Sequence, residues 1–136
     1  MRVFLDTNVL VSAFATRGLC AELVDILLLR HELLTGRGVL AELSRALREK
    51  VKASPSRCNE AVASIAAGAA QVVEAAEPAV CNASAADARI LGEALQGRAK
   101  LFVTGDQEIP RLKSIARMRI VSPRELWDAL RSGREA

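Results

Sequence analysis

The chain has 136 residues, of which 51% are hydrophobic, and a formal net charge of +3. This length suits one domain with a sizeable core and is too short for two comfortable ones. No apolar run reaches the length of a membrane span, and the acid and amide within residues 1–12 argue against a secretory leader. We therefore expect a cytoplasmic protein without a membrane partner.

Strand-like and helix-like segments alternate along the chain, which is typical of a parallel sheet with helices on both faces. Strands are predicted at 3–5, 33–35, 72–73, 101–103 and 118–121. Helices are predicted at 9–14, 21–29, 39–50, 61–70 and 85–95, with a last one after Ser122 and Pro123. The pattern predicts one α/β domain over residues 1–131, a three-layer α/β/α sandwich, and a frayed tail at 132–136.

Short polar side chains mark the predicted helix starts, where they can accept hydrogen bonds from free amides. Thr7 or Asn8 would cap the helix that begins at about residue 9, and Ser84 would cap the helix at 85–95. Ser122, Pro123 and an acid at the third helical position would begin the last helix. Thr104 would cap a short helix that follows it.

The cysteines and the single histidine narrow the possible chemistry. Cys20, Cys58 and Cys81 are odd in number and far apart, and they indicate neither a disulfide framework nor a zinc site. His31 stands alone without a serine elbow motif, which argues against triad chemistry. The groups that remain as candidates for chemistry are side chains with oxygen ligands.

Four acids are placed where one site can form. Asp6 and Asp106 follow predicted strands, Glu42 lies at the edge of an apolar helix stripe, and Asp87 heads the apolar face of its helix. Each has an ordinary alternative, namely a turn, a solvated helix edge or a helix cap. Together, all four can reach the crevice at the carboxyl ends of the parallel strands.

Converging carboxylates repel one another and require a cation. Oxygen ligands suit Mg²⁺ or Mn²⁺. The chemistry that follows most naturally is metal-assisted phosphoryl transfer, in which one or two ions activate water and stabilise charge on the phosphate.

Three motifs carry a resemblance to a known family. They are Asp-Thr-Asn-Val-Leu-Val-Ser at 6–12, Asp-Ala-Arg-Ile-Leu-Gly-Glu-Ala at 87–94 and Val-Thr-Gly-Asp at 103–106, together with the helical Glu42. With these motifs the chain resembles the PIN-domain family over residues 1–130, and most closely its small single-domain toxins. The resemblance implies an α/β/α sandwich, Mg²⁺- or Mn²⁺-dependent endoribonuclease activity, an antitoxin partner and commonly a homodimer.

The resemblance also implies roles for individual residues. The acidic positions of the family fall on Asp6, Glu42, Asp87 and Asp106, as catalytic metal ligands. The supporting polar positions fall on Asn8 and Thr104, which would orient a carboxylate or a metal-bound water. The segment before Asp87 has fewer acids than in relatives, and Glu108 replaces an aspartate, so the number of ions, one or two, stays open.

Basic residues fall into two clusters, which suit contact with RNA phosphates. Arg45 and Arg48 belong to the first, near the end of a helix, and Lys113 belongs to the second. With few aromatic residues, no platform for base stacking is evident. Solvated helix faces are the ordinary alternative for both clusters.

Two other functions stay open. Some α/β phosphatases place a nucleophilic aspartate after the first strand, as Asp6 is placed here, although Asn8 stands where their second acid would be. A binding module that kept the fold without catalysis is the other. For a dimer, the apolar helix at 21–29 offers a surface.

Overall fold

The computed structural model describes residues 1–106 and 113–133. Their strands form one sheet in the order β3-β2-β1-β4-β6-β5. The strands are β1 (Arg2–Leu5), β2 (Glu32–Gly36), β3 (Gln71–Val73), β4 (Leu101–Val103), β5 (Ser114–Ile115) and β6 (Met118–Val121). All pairings are parallel except that of β5 with β6.

Helices connect these strands and cover the sheet. They are α1 (Thr7–Ala15), α2 (Leu19–Arg30), α3 (Arg37–Glu49), α4 (Pro55–Gly68), α5 (Ala85–Gln96) and α6 (Pro123–Arg131). The predicted α/β sandwich with a central parallel sheet is confirmed, and the antiparallel strand β5 is added at one edge.

The core lies on the central strands because their sequences are apolar on both faces. Val3, Phe4 and Leu5 of β1 are fully buried. The ring of Phe4 stacks on Phe102 of β4, with 5.8 Å between ring centroids. The polar residues that follow these two strands are therefore attached to a fully buried, closely packed part of the sheet.

The chain changes direction across the sheet between β1 and β4. β2 and β3 are added on one side of β1, and the chain then returns to place β4 on the other side. Leu5 pairs with Val103 at the carboxyl ends of these strands. Ligands of open α/β sheets bind at such a switch point.

Four helix starts differ from the prediction. α2 begins at Leu19 and α3 at Arg37, each two residues before the predicted start. α1 begins at Thr7 with Asp6 as its N-cap, not Thr7 or Asn8, because the carboxylate of Asp6 accepts the N–H of Thr7. α4 begins at Pro55, six residues before the predicted start, with Ser54 as its N-cap. The polar residues 55–60 carry no apolar periodicity, which is why the pattern gave a later start.

The other predicted caps agree with the structure. Ser84 accepts the N–H of Asp87, and Ser122 forms a full capping box with Glu125. β5 was not predicted, since two residues are too short for a periodic signal. The short helix predicted after Thr104 and the end of the predicted tail, 134–136, lie outside the described residues.

In the part of the chain that the structure describes, none of the helices is long and apolar enough to cross a membrane.

Candidate functional site

The candidate site begins at Asp6, directly after β1. The backbone N–H of Asp6 donates to the carbonyl of Val103 at 2.9 Å, which continues the pairing of β1 with β4 by one residue. Thr104 is likewise held by its N–H to the carbonyl of Val121 at 3.0 Å. The sheet itself therefore sets Asp6 and Thr104 side by side.

Asp6 is 7% exposed, and its carboxylate accepts three hydrogen bonds. Thr7 N–H donates to Oδ1 at 2.8 Å, while Thr104 Oγ1 donates to Oδ2 at 2.7 Å and Asn8 Nδ2 donates to Oδ2 at 3.2 Å. The side chain of Asp6 is thus fixed in one orientation.

Asn8 joins the two segments that follow β1 and β4. Its Nδ2 also lies 3.3 Å from Thr104 Oγ1, and its Oδ1 accepts the N–H of Gly105 at 2.9 Å. The contacts of Asn8 and Thr104 with Asp6 are those expected of residues that orient a carboxylate.

Glu42 reaches Asp6 through Thr7. The hydroxyl of Thr7 donates to Glu42 Oε2 at 3.0 Å, while the backbone N–H of the same residue binds Asp6. Glu42 is half-buried on α3, in agreement with its predicted place at the edge of the apolar stripe. Thr7 was not predicted as a site residue, since its hydroxyl partner lies 35 residues away.

The other two acids are half-buried at the same end of the sheet. Asp87 lies in the first turn of α5, and its charge acts on Asp6. Asp106 is held by its backbone N–H, which donates to Thr104 Oγ1 at 3.0 Å. The charges of Glu42 and Asp87 thus act on Asp6, and Asp106 is connected to Asp6 through the hydroxyl of Thr104.

The environment of Asp6 opposes its ionisation. Burial raises the pKa of Asp6 from 3.8 to about 6, against the hydrogen bonds from Thr104 and Thr7, which lower it. The negative charges of Asp87 and Glu42 also raise the pKa and are part of this net shift. A cation at this point would relieve both the burial of the charge and the repulsion.

The donor set fits Mg²⁺ or Mn²⁺ in chemical kind, because it consists of carboxylate oxygens. Within residues 1–106 and 113–133, no three acids, histidines or cysteines are already gathered into a ligand shell. The fit therefore rests on the buried, repelled carboxylate of Asp6 and on the acids coupled to it. The assignment of the four acids as metal ligands stays a prediction.

A groove of about 1030 Å³ opens from Asp6 along α3 and α5. Asp6, Thr7, Asn8 and Glu42 line its acidic end. The basic residues that line it are Arg37, Arg45, Lys50 and Arg89. Glu49, Glu74 and Glu93 also line the groove, so its four basic residues, which we name the basic rim, are interspersed with acids. The basic rim is the part of the groove that suits contact with phosphates.

The three basic residues predicted to bind substrate differ in place. Arg45 lines the groove, whereas Arg48 and Lys113, although described, are not among its lining residues. Arg37 is already paired with Glu74, in two hydrogen bonds of 2.8 and 3.0 Å. Arg89, two residues after Asp87, was not predicted, and its nearness in sequence to that acid is the signal that could have found it.

Glu93 is the most deeply buried site residue that the sequence did not reveal. It lies on α5, is 8% exposed and lines the groove. Its carboxylate binds backbone amides at the start of α3, more than fifty residues away in sequence. The available signal was a glutamate between the apolar residues Leu91 and Ala94.

Comparisons with known proteins agree with this architecture. Residues 2–108 match the family model described as PIN domain. VapBC2 from Rickettsia felis, solved with a DNA fragment from its promoter, has a similar fold, with a TM-score of 0.66 and 15% identity over 90% of this chain and 98% of that chain. FitAB bound to an IR36 DNA fragment gives a TM-score of 0.61 and 19% identity, covering 89% of this chain and 94% of that one.

A third structure, FitAcB from Neisseria gonorrhoeae, is similar at a TM-score of 0.59 and 20% identity, over 89% of this chain and 97% of its own. At these identities the structures establish the fold. A comparison with curated proteins found no match.

Proposed function

The chain belongs to the PIN domain family, and from that premise we propose that it is a metal-dependent endoribonuclease, the toxin of a toxin–antitoxin pair. PIN domains are generally nucleases. The observation that carries the proposal is the buried carboxylate of Asp6, oriented by three hydrogen bonds and repelled by Glu42 and Asp87 at the switch point of the sheet.

Asp6, Glu42, Asp87 and Asp106 would hold Mg²⁺ or Mn²⁺. When bound, the ion would activate water and stabilise negative charge on the scissile phosphate and the leaving oxygen. Thr104 and Asn8 keep the Asp6 carboxylate in one orientation, and Thr7 keeps Glu42 next to it. This hydrogen-bonded corner reduces the reorganisation needed on ligand binding.

Single-stranded or structured RNA would lie in the groove, with its phosphates toward the basic rim. Arg45 is the first candidate for phosphate contact, since it lines the groove from α3, the helix that also carries Glu42. Arg48 and Lys113 would contact phosphates farther along the RNA. With phosphate contacts dominant, affinity falls as salt concentration rises.

An antitoxin protein, a homodimer and a cytoplasmic location complete the proposal. The similar fold of the VapBC2 and FitAB structures supports the toxin–antitoxin assignment. For the homodimer, α2 offers Leu29, which is 82% exposed next to the half-buried Leu28.

The test is cleavage of single-stranded RNA by the purified protein in Mg²⁺, in Mn²⁺ and with chelator, beside Asp6→Asn. We expect cutting by the wild type in metal only, and a loss of at least about 100-fold in the variant, because loss even of outer-shell partners costs about 10–100-fold. Metal-independent cutting, or equal cutting by the variant, would refute the proposal. No cutting by folded, inhibitor-free protein would favour a binding module.

A further inference from the structure

Glu93 holds the start of α3 from a different helix. Its Oε2 accepts the N–H of Gly38 at 2.7 Å, and its Oε1 accepts the N–H of Val39 at 3.3 Å. Both donors belong to the first turn of α3, whose amides have no partner within the helix. Glu93 therefore binds α3 at a point where the helix needs acceptors.

The sequence of α3 supplies no such acceptor itself. Its N-cap is Gly36, which has no side chain to make a capping hydrogen bond, and its first turn contains no acid. A negative charge at this end is favoured by the helix dipole. The carboxylate of Glu93 thus takes the place of a local cap.

Two glycines make room for this contact. A Cβ on Gly36 would clash with the carboxylate of Glu93, and a Cβ on Gly38 would lie 3.0 Å from its Oε2. Glycine at these positions permits the close approach of a buried side chain to the helix backbone. Gly36, Gly38 and Glu93 therefore form one contact unit, which we name the α3 clamp.

The α3 clamp lies one helical turn from Glu42. Gly38 and Glu42 are four residues apart, so they share a face of α3. Glu42 and Glu93 line the same groove, and the charge of Glu42 acts on Glu93. Glu93 thus holds the first turn of α3, while Thr7 holds the carboxylate of Glu42 one turn later in the helix.

We propose that Glu93 is a positioning residue, which holds the first turn of α3 through Gly38 and Val39 and thereby sets Glu42 beside Asp6. This role rests on the proposed metal-dependent function. Glu93 does not contact substrate in it, because both of its oxygens are directed to backbone amides. Its effect reaches the site through the placement of Glu42.

The test uses Glu93→Gln, which keeps the shape of the side chain and loses its charge, and Glu93→Asp, which keeps the charge and shortens the reach. Leu126→Ala is the matched control, since it removes a fully buried side chain on α6, away from the groove. The readouts are Mn²⁺ affinity by electron paramagnetic resonance, without RNA, and amide hydrogen exchange at Gly38 and Val39 in metal-free protein.

We expect Glu93→Gln to exchange faster at both amides and to bind Mn²⁺ about tenfold more weakly, as loss of outer support at a metal site does. Glu93→Asp should recover part of the affinity. Leu126→Ala should lower the unfolding temperature and keep the wild-type Mn²⁺ affinity.

Wild-type Mn²⁺ affinity in both Glu93 variants would refute the positioning role and leave the proposed nuclease intact. Equal weakening in Leu126→Ala would also refute it, since the effect would then follow stability. A wild-type protein that binds no Mn²⁺ would refute both proposals. Unchanged exchange at Gly38 and Val39 refutes the clamp whatever the metal does.

Discussion

Two buried carboxylates line the same groove and are satisfied in different ways. Asp6 is 7% exposed and Glu93 is 8% exposed. Asp6 is bound by a hydroxyl, a side-chain amide and one backbone N–H, next to the negative charges of Glu42 and Asp87. Glu93 is bound by two backbone amides at a helix N-terminus.

This difference indicates that the carboxylate of Glu93 has a structural role, whereas that of Asp6 is suited to bind a cation. The positive end of α3 compensates the charge of Glu93, which has a partner that is part of the fold. Asp6 also lies at a helix N-terminus, that of α1, but two negative residues, Asp87 and Glu42, act on it, whereas Glu42 alone acts on Glu93. More negative charge is therefore left at Asp6 for a cation to compensate. Burial alone would not have distinguished the two residues.

The largest effect expected from this difference is a pH dependence of stability in metal-free protein. The pKa of Asp6 is raised from 3.8 to about 6, so the native state holds a proton that the unfolded state has released. The contribution of Asp6 to the free energy of unfolding is therefore fully present below pH 3.8. It is lost as the pH rises to about 6, and the total loss is about 3 kcal/mol. Urea unfolding between pH 4 and pH 8 measures this fall.

Asp6→Asn should remove most of this pH dependence, because the amide does not titrate. Burial also raises the pKa of Glu93, so a smaller fall of the same sign should persist. Glu93→Gln in the same background should remove that remainder. A full-sized fall in Asp6→Asn would show that the two carboxylates were assigned the wrong way round.

A smaller effect is expected at Thr104, which donates the shortest hydrogen bond to Asp6. Thr104→Val keeps the side-chain shape and removes the 2.7 Å contact. We expect RNA cleavage to fall about 10–100-fold, as for other supports of a metal ligand. The pKa of Asp6 should rise further, since this hydrogen bond lowers it.

Thr35→Val is the matched control for that substitution. Thr35 and Thr104 are both 1% exposed, but the hydroxyl of Thr35 has no hydrogen-bond partner within the described residues. The same change there should leave cleavage intact and stabilise the fold by about 1 kcal/mol, because an unsatisfied buried group is removed. Equal losses of cleavage in both variants would contradict the assignment of Thr104.

The smallest effect is expected for single arginines of α3, and it distinguishes a residue of the basic rim from one outside the groove. Arg45 and Arg48 are both exposed on α3, but only Arg45 lines the groove. Arg45→Ala should raise the KM for single-stranded RNA and reduce the slope of log affinity against log salt by about 0.7, the value for one phosphate contact. Arg48→Ala should change both less. The reverse order would move the RNA path off the groove.

The meeting of the residues that follow β1 and β4 could be predicted from the sequence, because parallel strands share their carboxyl edge. Asp6 and Thr104 lie together for that reason, and Asn8 follows from its position two residues later. The fold class followed from the alternation of apolar segments. The sequence offered Thr7 or Asn8 as the cap of α1, whereas the cap is Asp6. The side-chain amide of Asn8 instead contacts Thr104 and Gly105, and these contacts depend on tertiary structure.

Glu93 and Thr7 were missed for a similar reason. Their carboxylate and hydroxyl have partners on α3, brought near by packing and not by local sequence. The helix α3 was predicted from its apolar stripe, but its start at Arg37 was not, because Gly36 and Gly38 look like an ordinary turn. Their real constraint, the approach of Glu93, is visible only in three dimensions.

The most direct test of the central claim, that a divalent cation compensates Asp6, is thermal unfolding at pH 8 with and without Mn²⁺. A ligand that binds only the native state raises the Tm with its concentration. We predict that Mn²⁺ raises the Tm of the wild type and of Thr35→Val, and leaves the Tm of Asp6→Asn unchanged. An equal rise in Asp6→Asn would contradict the claim, because the cation would then bind elsewhere.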